Sequence, residues 1–110
     1  MAYGRISALA FTSVAIIHKA ALGGGLELAM HCDALIGALP APGEKSWKVG
    51  LPECGLGICP GWGGTMMLAA RMDISKAITS TCVGVPFDAS DIPTGLYAQH
   101  IGVGESAVDV

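Results

Sequence analysis

Ala20-Ala21-Leu22-Gly23-Gly24-Gly25-Leu26-Glu27-Leu28-Ala29-Met30 is the stretch that decides how the rest of this chain is read. Three consecutive glycines admit backbone angles and close approaches that a side chain forbids. Leu26 to Met30 are good helix formers. The segment therefore turns tightly and opens a helix whose first N–H groups have no intrahelical acceptor. Such a start can hold an anion, or an oxygen on which negative charge develops. Glu27 falls in the first helical turn. It is either a dipole-matched stabiliser or a catalytic carboxylate beside the oxygen site, and the local sequence does not choose.

Composition narrows the classes. The chain has 110 residues, 52% apolar and 14% charged, with a net charge of −3. That suits one α/β domain or part of one, with a buried core. The absence of a basic surface argues against nucleic acid and against an acidic membrane surface. The longest uncharged run, Cys54 to Ala70, is interrupted by Pro60 and by glycines, so no membrane span is expected. The first residues do not read as a signal peptide, which points to a cytoplasmic protein. Cys32, Cys54, Cys59 and Cys82 lack CxxC spacing and are expected to be reduced and mostly in the core. His31-Cys32-Asp33 offers three ligand types, but helix neighbours point apart, so no metal site is expected.

Outward from the glycine stretch, Ala10 to Ile17 is an apolar run of strand length, expected to be buried on both faces. His18 reads as a strand-end residue. Ala34 to Gly37 is a second strand, and Leu39 to Ser46 a loop rich in Pro and Gly. Trp47 to Leu51 is extended, and Pro52 places Glu53 at a strand-end turn. Gly55 to Thr65 is a second glycine-rich loop, followed by a helix from Thr65 to Met72. In that loop Trp62 either covers a pocket or packs in the core, with core preferred. Ser75 is expected to cap a helix from Lys76 to about Cys82. Asp88 to Asp91 suggests a short helical piece, and Leu96 to Val103 a last strand before a frayed end. Short strands alternating with helices indicate an α/β fold.

Two glycine turns thus each precede a helix, and a glutamate lies near each. An acyl thioester becomes reactive when N–H groups hold its carbonyl oxygen, and two nearby carboxylates can handle a water and a proton. In its motifs the chain resembles the crotonase (enoyl-CoA hydratase/isomerase) superfamily: Ala21-Leu22-Gly23-Gly24-Gly25-Leu26-Glu27-Leu28-Ala29, Cys32-Asp33, Gly50-Leu51-Pro52-Glu53, and Leu56-Gly57-Ile58-Cys59-Pro60-Gly61-Trp62-Gly63-Gly64-Thr65. Val85 to Ala89 and Gly95-Leu96 continue in the family's order. The match runs from about residue 10 to 103 within one partial domain, 1–110.

The resemblance implies a spiral of ββα turns that binds acyl-CoA thioesters. Gly24 falls on the position whose N–H forms half of the oxyanion hole. Glu27 and Glu53 fall on the hydratases' two glutamates, Glu27 positioning the water and Glu53 handling the α-carbon proton. Gly23 and Gly61 fall on substrate-contacting loops. The implied reaction is reversible hydration of a trans-2-enoyl-CoA in fatty acid β-oxidation, with no cofactor, in a homotrimer or hexamer. An isomerase, or the hydratase part of a multifunctional β-oxidation protein, is the alternative reading. The family domain is more than twice as long as this chain. Nothing before Ala10 matches the half that carries the second oxyanion N–H and most of the CoA loop, and the C-terminal helical segment is missing. The chain is therefore expected to be a piece of such a domain, or a non-catalytic remnant. Lys19 stands where the family has a small residue, and the Leu39–Ser46 loop is long.

Overall fold

The computed structural model describes residues 3–102. A short helix, α1 (Gly4–Ser7), leads into two successive ββα turns. The first is β1 (Val14–Ile17), β2 (Ala21–Leu22) and α2 (Gly24–Met30). The second is β3 (Ala34–Ala38), β4 (Lys48–Gly50), a 3-10 turn (Glu53–Leu56) and α3 (Gly64–Arg71). Helix α4 (Ile74–Val83), β5 (Phe87–Asp88) and β6 (Gln99–Ile101) follow.

Equivalent strands of successive turns stack in register, which makes the path a spiral. In one sheet β1, β3 and β6 run parallel, with Val14 opposite Ala34 and Ile36 opposite Gln99. In the other, β2 pairs parallel with β4, Ala21 opposite Val49, and β5 pairs antiparallel on the far side of β4. Asp33 sets the register of the first sheet. Its carboxylate accepts from the Ser13 amide at 2.8 Å, and its own amide donates to the Ser13 carbonyl at 2.9 Å. Helices and sheets meet over Leu26, Met30, Leu35, Leu51, Leu68 and Leu96, all inaccessible or nearly so. Burying each such side chain stabilises the fold by about 1.5–3 kcal/mol.

Several elements differ from the sequence reading. The strand expected over Ala10–Ile17 is only Val14–Ile17, and it is not buried on both faces. Ile17 is inside while Val14 and Ile16 face outward, because among the described residues nothing covers that side. Helix α4 begins two residues earlier than Lys76, and its cap is Asp73, not Ser75: the Asp73 carboxylate accepts from the Lys76 amide at 3.0 Å. Asp88–Asp91 is no helix. Asp88 ends β5, and its carboxylate gathers Ser46, Ser90 and Lys48, which closes a single turn before Pro93. The four cysteines are free thiols, but none is in the core; Cys32 and Cys54 are half-buried, and Cys59 and Cys82 exposed. Val103 and the expected frayed end lie outside the described residues.

The two departures noted in the family comparison meet in space. Lys19 pairs with Glu44 of the long loop, and its ammonium sits 4.5 Å from the centroid of the Trp47 ring. The Lys19 hydrogen bond holds the Glu44 carboxyl below its ordinary range.

Candidate active site

The glycine turn comes first. Gly23 caps α2 with φ +56° and ψ −126°, a conformation open in practice only to glycine. Its amide donates to the Gly50 carbonyl at 2.9 Å, which locks the turn to β4. The chain leaving β4 passes Pro52 and delivers Glu53 back against the same turn. A β-carbon on Gly23 would lie 3.2 Å from Glu53 Oε2, so the missing side chain is what lets the carboxylate rest there. Glu53 Oε1 is buried and finds no hydrogen-bond partner in the protein.

These pieces frame a cleft of about 410 Å³, lined by Gly23, Gly24, Glu53, Ile58, Gly61 and Trp62 among others. Four positions singled out in the sequence, Gly23, Gly24, Glu53 and Gly61, thus share one cleft. Its apolar rim is unusually open: Leu56 is 74% exposed and Ile58 58%. Trp62 is not a core residue. It is 42% exposed and lies tilted on the Tyr3 ring, with centroids 4.7 Å apart.

Glu27 does not line the cleft surface. It is wholly inaccessible, on the inner face of α2, beneath the start of α3. A β-carbon on Gly64 would lie 2.9 Å from Glu27 Cγ and Oε1, so Gly64 is packed directly on this side chain. Neither Glu27 oxygen meets a partner at hydrogen-bonding geometry. Burial pushes the Glu27 carboxyl above its ordinary range; the nearby Trp62 amide pulls the other way, and the Glu53 charge pushes it further up.

His31 lies one turn beyond Glu27 on α2. Sequence reasoning treated it only as a metal-ligand candidate. Both its ring nitrogens are instead engaged, with the Ser7 hydroxyl at 2.8 Å and the Trp62 carbonyl at 2.9 Å. Arg71 of α3 supports the same helix end by donating to the Met30 and Cys32 carbonyls, each at 2.8 Å. Among the described residues no group of three or more His, Cys, Asp or Glu side chains could hold a metal, and no helix is long and apolar enough to cross a membrane.

The chain is similar in sequence and in fold to several known proteins. A probable enoyl-CoA hydratase of Bacillus subtilis (strain 168) is 42% identical over 87 residues, 79% of this chain and 31% of that protein. The peroxisomal fatty acid beta-oxidation multifunctional protein MFP2 of Arabidopsis thaliana is 44% identical over 79 residues, 72% of this chain and 10% of its own. Among solved structures, Pseudomonas aeruginosa DspI superposes with a TM-score of 0.83 at 28% identity, covering 98% of this chain and 42% of its own. An enoyl-CoA hydratase from Geobacillus kaustophilus HTA426 superposes with a TM-score of 0.73 at 29% identity, covering 89% and 36%. The chain thus spans about a third of the length of the curated hydratases it matches. The fold is crotonase-like, and the family model described as enoyl-CoA hydratase/isomerase matches residues 2–101, so the chain belongs to that family.

Proposed function

We propose that this chain supplies the paired carboxylates of a site that hydrates trans-2-enoyl-CoA thioesters. The observation that carries the reading is the pair itself. Glu53 rests on the glycine turn at the cleft, Glu27 lies behind it, and each has a buried oxygen with no protein partner. Buried polar groups are nearly always bonded, and an unpaired one costs about 1–3 kcal/mol, so such exceptions favour a functional role.

In this reading the Gly24 N–H is one donor to the thioester oxygen. A donor of that kind is worth about 2.7–4 kcal/mol in the transition state. The water oxygen bonds to the β-carbon. The double-bond electrons close onto the α-carbon, which takes a proton from Glu53, and the water's released proton passes to Glu27. Returning that proton to Glu53 resets the pair. A raised pKa makes Glu27 a stronger base near neutral pH. The step is redox-neutral, the negative charge on the thioester oxygen is met by N–H groups and the carboxylates move the protons, so this reading invokes no cofactor. The exposed apolar rim of Leu56, Ile58 and Trp62 gives an acyl chain something to cover. The second oxyanion donor and the rest of the CoA cradle belong, in this proposal, to family segments that this chain does not match.

The likeness to a multifunctional β-oxidation protein supports a second reading, in which the same site serves a larger polypeptide or an isomerisation. Parallel assays with 2-enoyl and 3-enoyl thioesters separate hydration from isomerisation. For the main reading, Glu53→Gln in the full chain should lower kcat for hydration by about 100- to 10,000-fold, the usual contribution of a general acid or base. An unchanged rate rules it out.

A further inference from the structure

His31 is 5% exposed, and its bond to Trp62 fixes which ring nitrogen donates there. A carbonyl only accepts, so Nε2 carries the proton donated to Trp62 O at 2.9 Å; Nδ1 lies 2.8 Å from the Ser7 hydroxyl, which also reaches the His31 carbonyl at 3.2 Å. The Tyr3 ring backs the arrangement, edge-on to His31 with centroids 5.7 Å apart and stacked on Trp62. Residues four apart on a helix share a face. Glu27 and His31 therefore present themselves to the same segment of the second glycine loop. His31 grips Trp62; two residues later, Gly64 closes on Glu27.

We propose that His31 is a positioning residue for Glu27: by holding the Trp62 carbonyl it pins the Gly61–Gly64 turn over that carboxylate. The Trp62 backbone, short of hydrogen-bonding geometry, opposes the effect of burial on Glu27, and so does His31 itself. A turn released by His31 would take the Trp62 effect away, while the direct His31 effect is lost equally in His31→Gln and His31→Asn. A histidine that merely fills space would be indifferent to where its donor sits, and this sets the test.

The inference rests on the hydratase reading for its kinetic arm only. In the full chain, His31→Gln keeps a donor near the place of Nε2, while His31→Asn is too short to reach Trp62. The two are otherwise chemically alike. Glu27 is followed by carbon-13 NMR of its labelled carboxyl across pH, alongside kcat and KM for a 2-enoyl thioester. The expected result is a higher Glu27 titration and a roughly 10-fold lower kcat in His31→Asn, with KM within about two-fold, and recovery of both in His31→Gln. Equal behaviour of the two variants overturns the proposal, as does an unmoved Glu27 titration in His31→Asn. If the parent itself does not hydrate the thioester, the hydratase reading fails while the titration still decides this one. Should His31→Asn not fold, Ser7→Ala takes its place. Ser7 is exposed, and losing its hydroxyl removes the partner that holds the other side of the ring, so the grip on Trp62 loosens. Glu27 should then titrate higher by a smaller margin, and no shift overturns the proposal.

Discussion

Gly64→Ala is the most direct probe of how Glu27 is held. The added methyl would sit 2.9 Å from Glu27 Cγ and Oε1 and 3.0 Å from Leu51 Cδ1, closer than real β-carbons approach other atoms. Two effects oppose each other. Alanine is favoured over glycine within a helix by up to about 1 kcal/mol, and less at a first position such as this. Overpacking a filled core costs about 1–3 kcal/mol. Leu51 and Glu27 are both fully buried, but the longer, unbranched Glu27 side chain has more rotatable bonds, so it gives way first. The net loss of stability should be about 0.5–2 kcal/mol, a fall of several degrees in Tm for a domain of this size. The effect on activity should exceed it, because the displaced atoms are the carboxylate itself. A drop in kcat of about 10- to 100-fold corresponds to roughly 1.4–2.7 kcal/mol of transition-state stabilisation. The assay is loss of the conjugated enoyl-thioester absorbance in the full chain, with a thermal melt of the same sample. Gly4→Ala is the control, since a β-carbon there meets nothing within 4 Å and Gly4 lies outside the cleft. Full activity and an unchanged melt in Gly64→Ala would refute the packing of Gly64 on Glu27, and an equal loss in Gly4→Ala would refute the argument that position matters.

Burial raises the Glu27 pKa above 4.5, so its contribution to stability is complete in acid and is lost as pH rises through the folded value. Glu27→Gln should therefore melt at or above the parent near about pH 7, and the gap should close toward about pH 4; a gap that widens in acid contradicts this. The Tyr97 hydroxyl is buried without a partner, and burial pushes its pKa up to about 12. Tyr97→Phe should keep or raise Tm, whereas Gly37→Ala, whose methyl would fall 1.8 Å from the Tyr97 ring, should lower it by an amount that calorimetry resolves easily.

What the sequence made legible is local. The glycine run, the helix formers after it and Pro52 before Glu53 act over a few residues, so the two turns, α2 and α3 could be read in advance; a common site for Gly23, Gly24, Glu53 and Gly61 was implied only by the family resemblance. Glu27 could be placed on its helix, yet not its depth, because Gly64, which seals it, is far along the chain. The role of His31 was invisible for the same reason: its partners are 24 and 31 residues away. Asp73 and Ser75 are both good caps, and only the backbone path after α3 selects between them. Trp62 and the cysteines were misjudged because residue type suggests burial, while a cleft needs apolar side chains at its rim.

The parallel stacking of β1, β3 and β6 has a kinetic consequence. Strand β3 meets β1 across about 20 residues of chain but meets β6 only across about 63, so the first pairing closes a much shorter loop. During synthesis the two ββα turns that frame the cleft can assemble while one edge of Ala34–Ala38 still waits for Gln99–Ile101. An unpaired edge on a central strand is a template for another copy of the chain. Tyr97 and Ile101, both buried where β6 docks, therefore close the vulnerable interval in folding as well as filling the core.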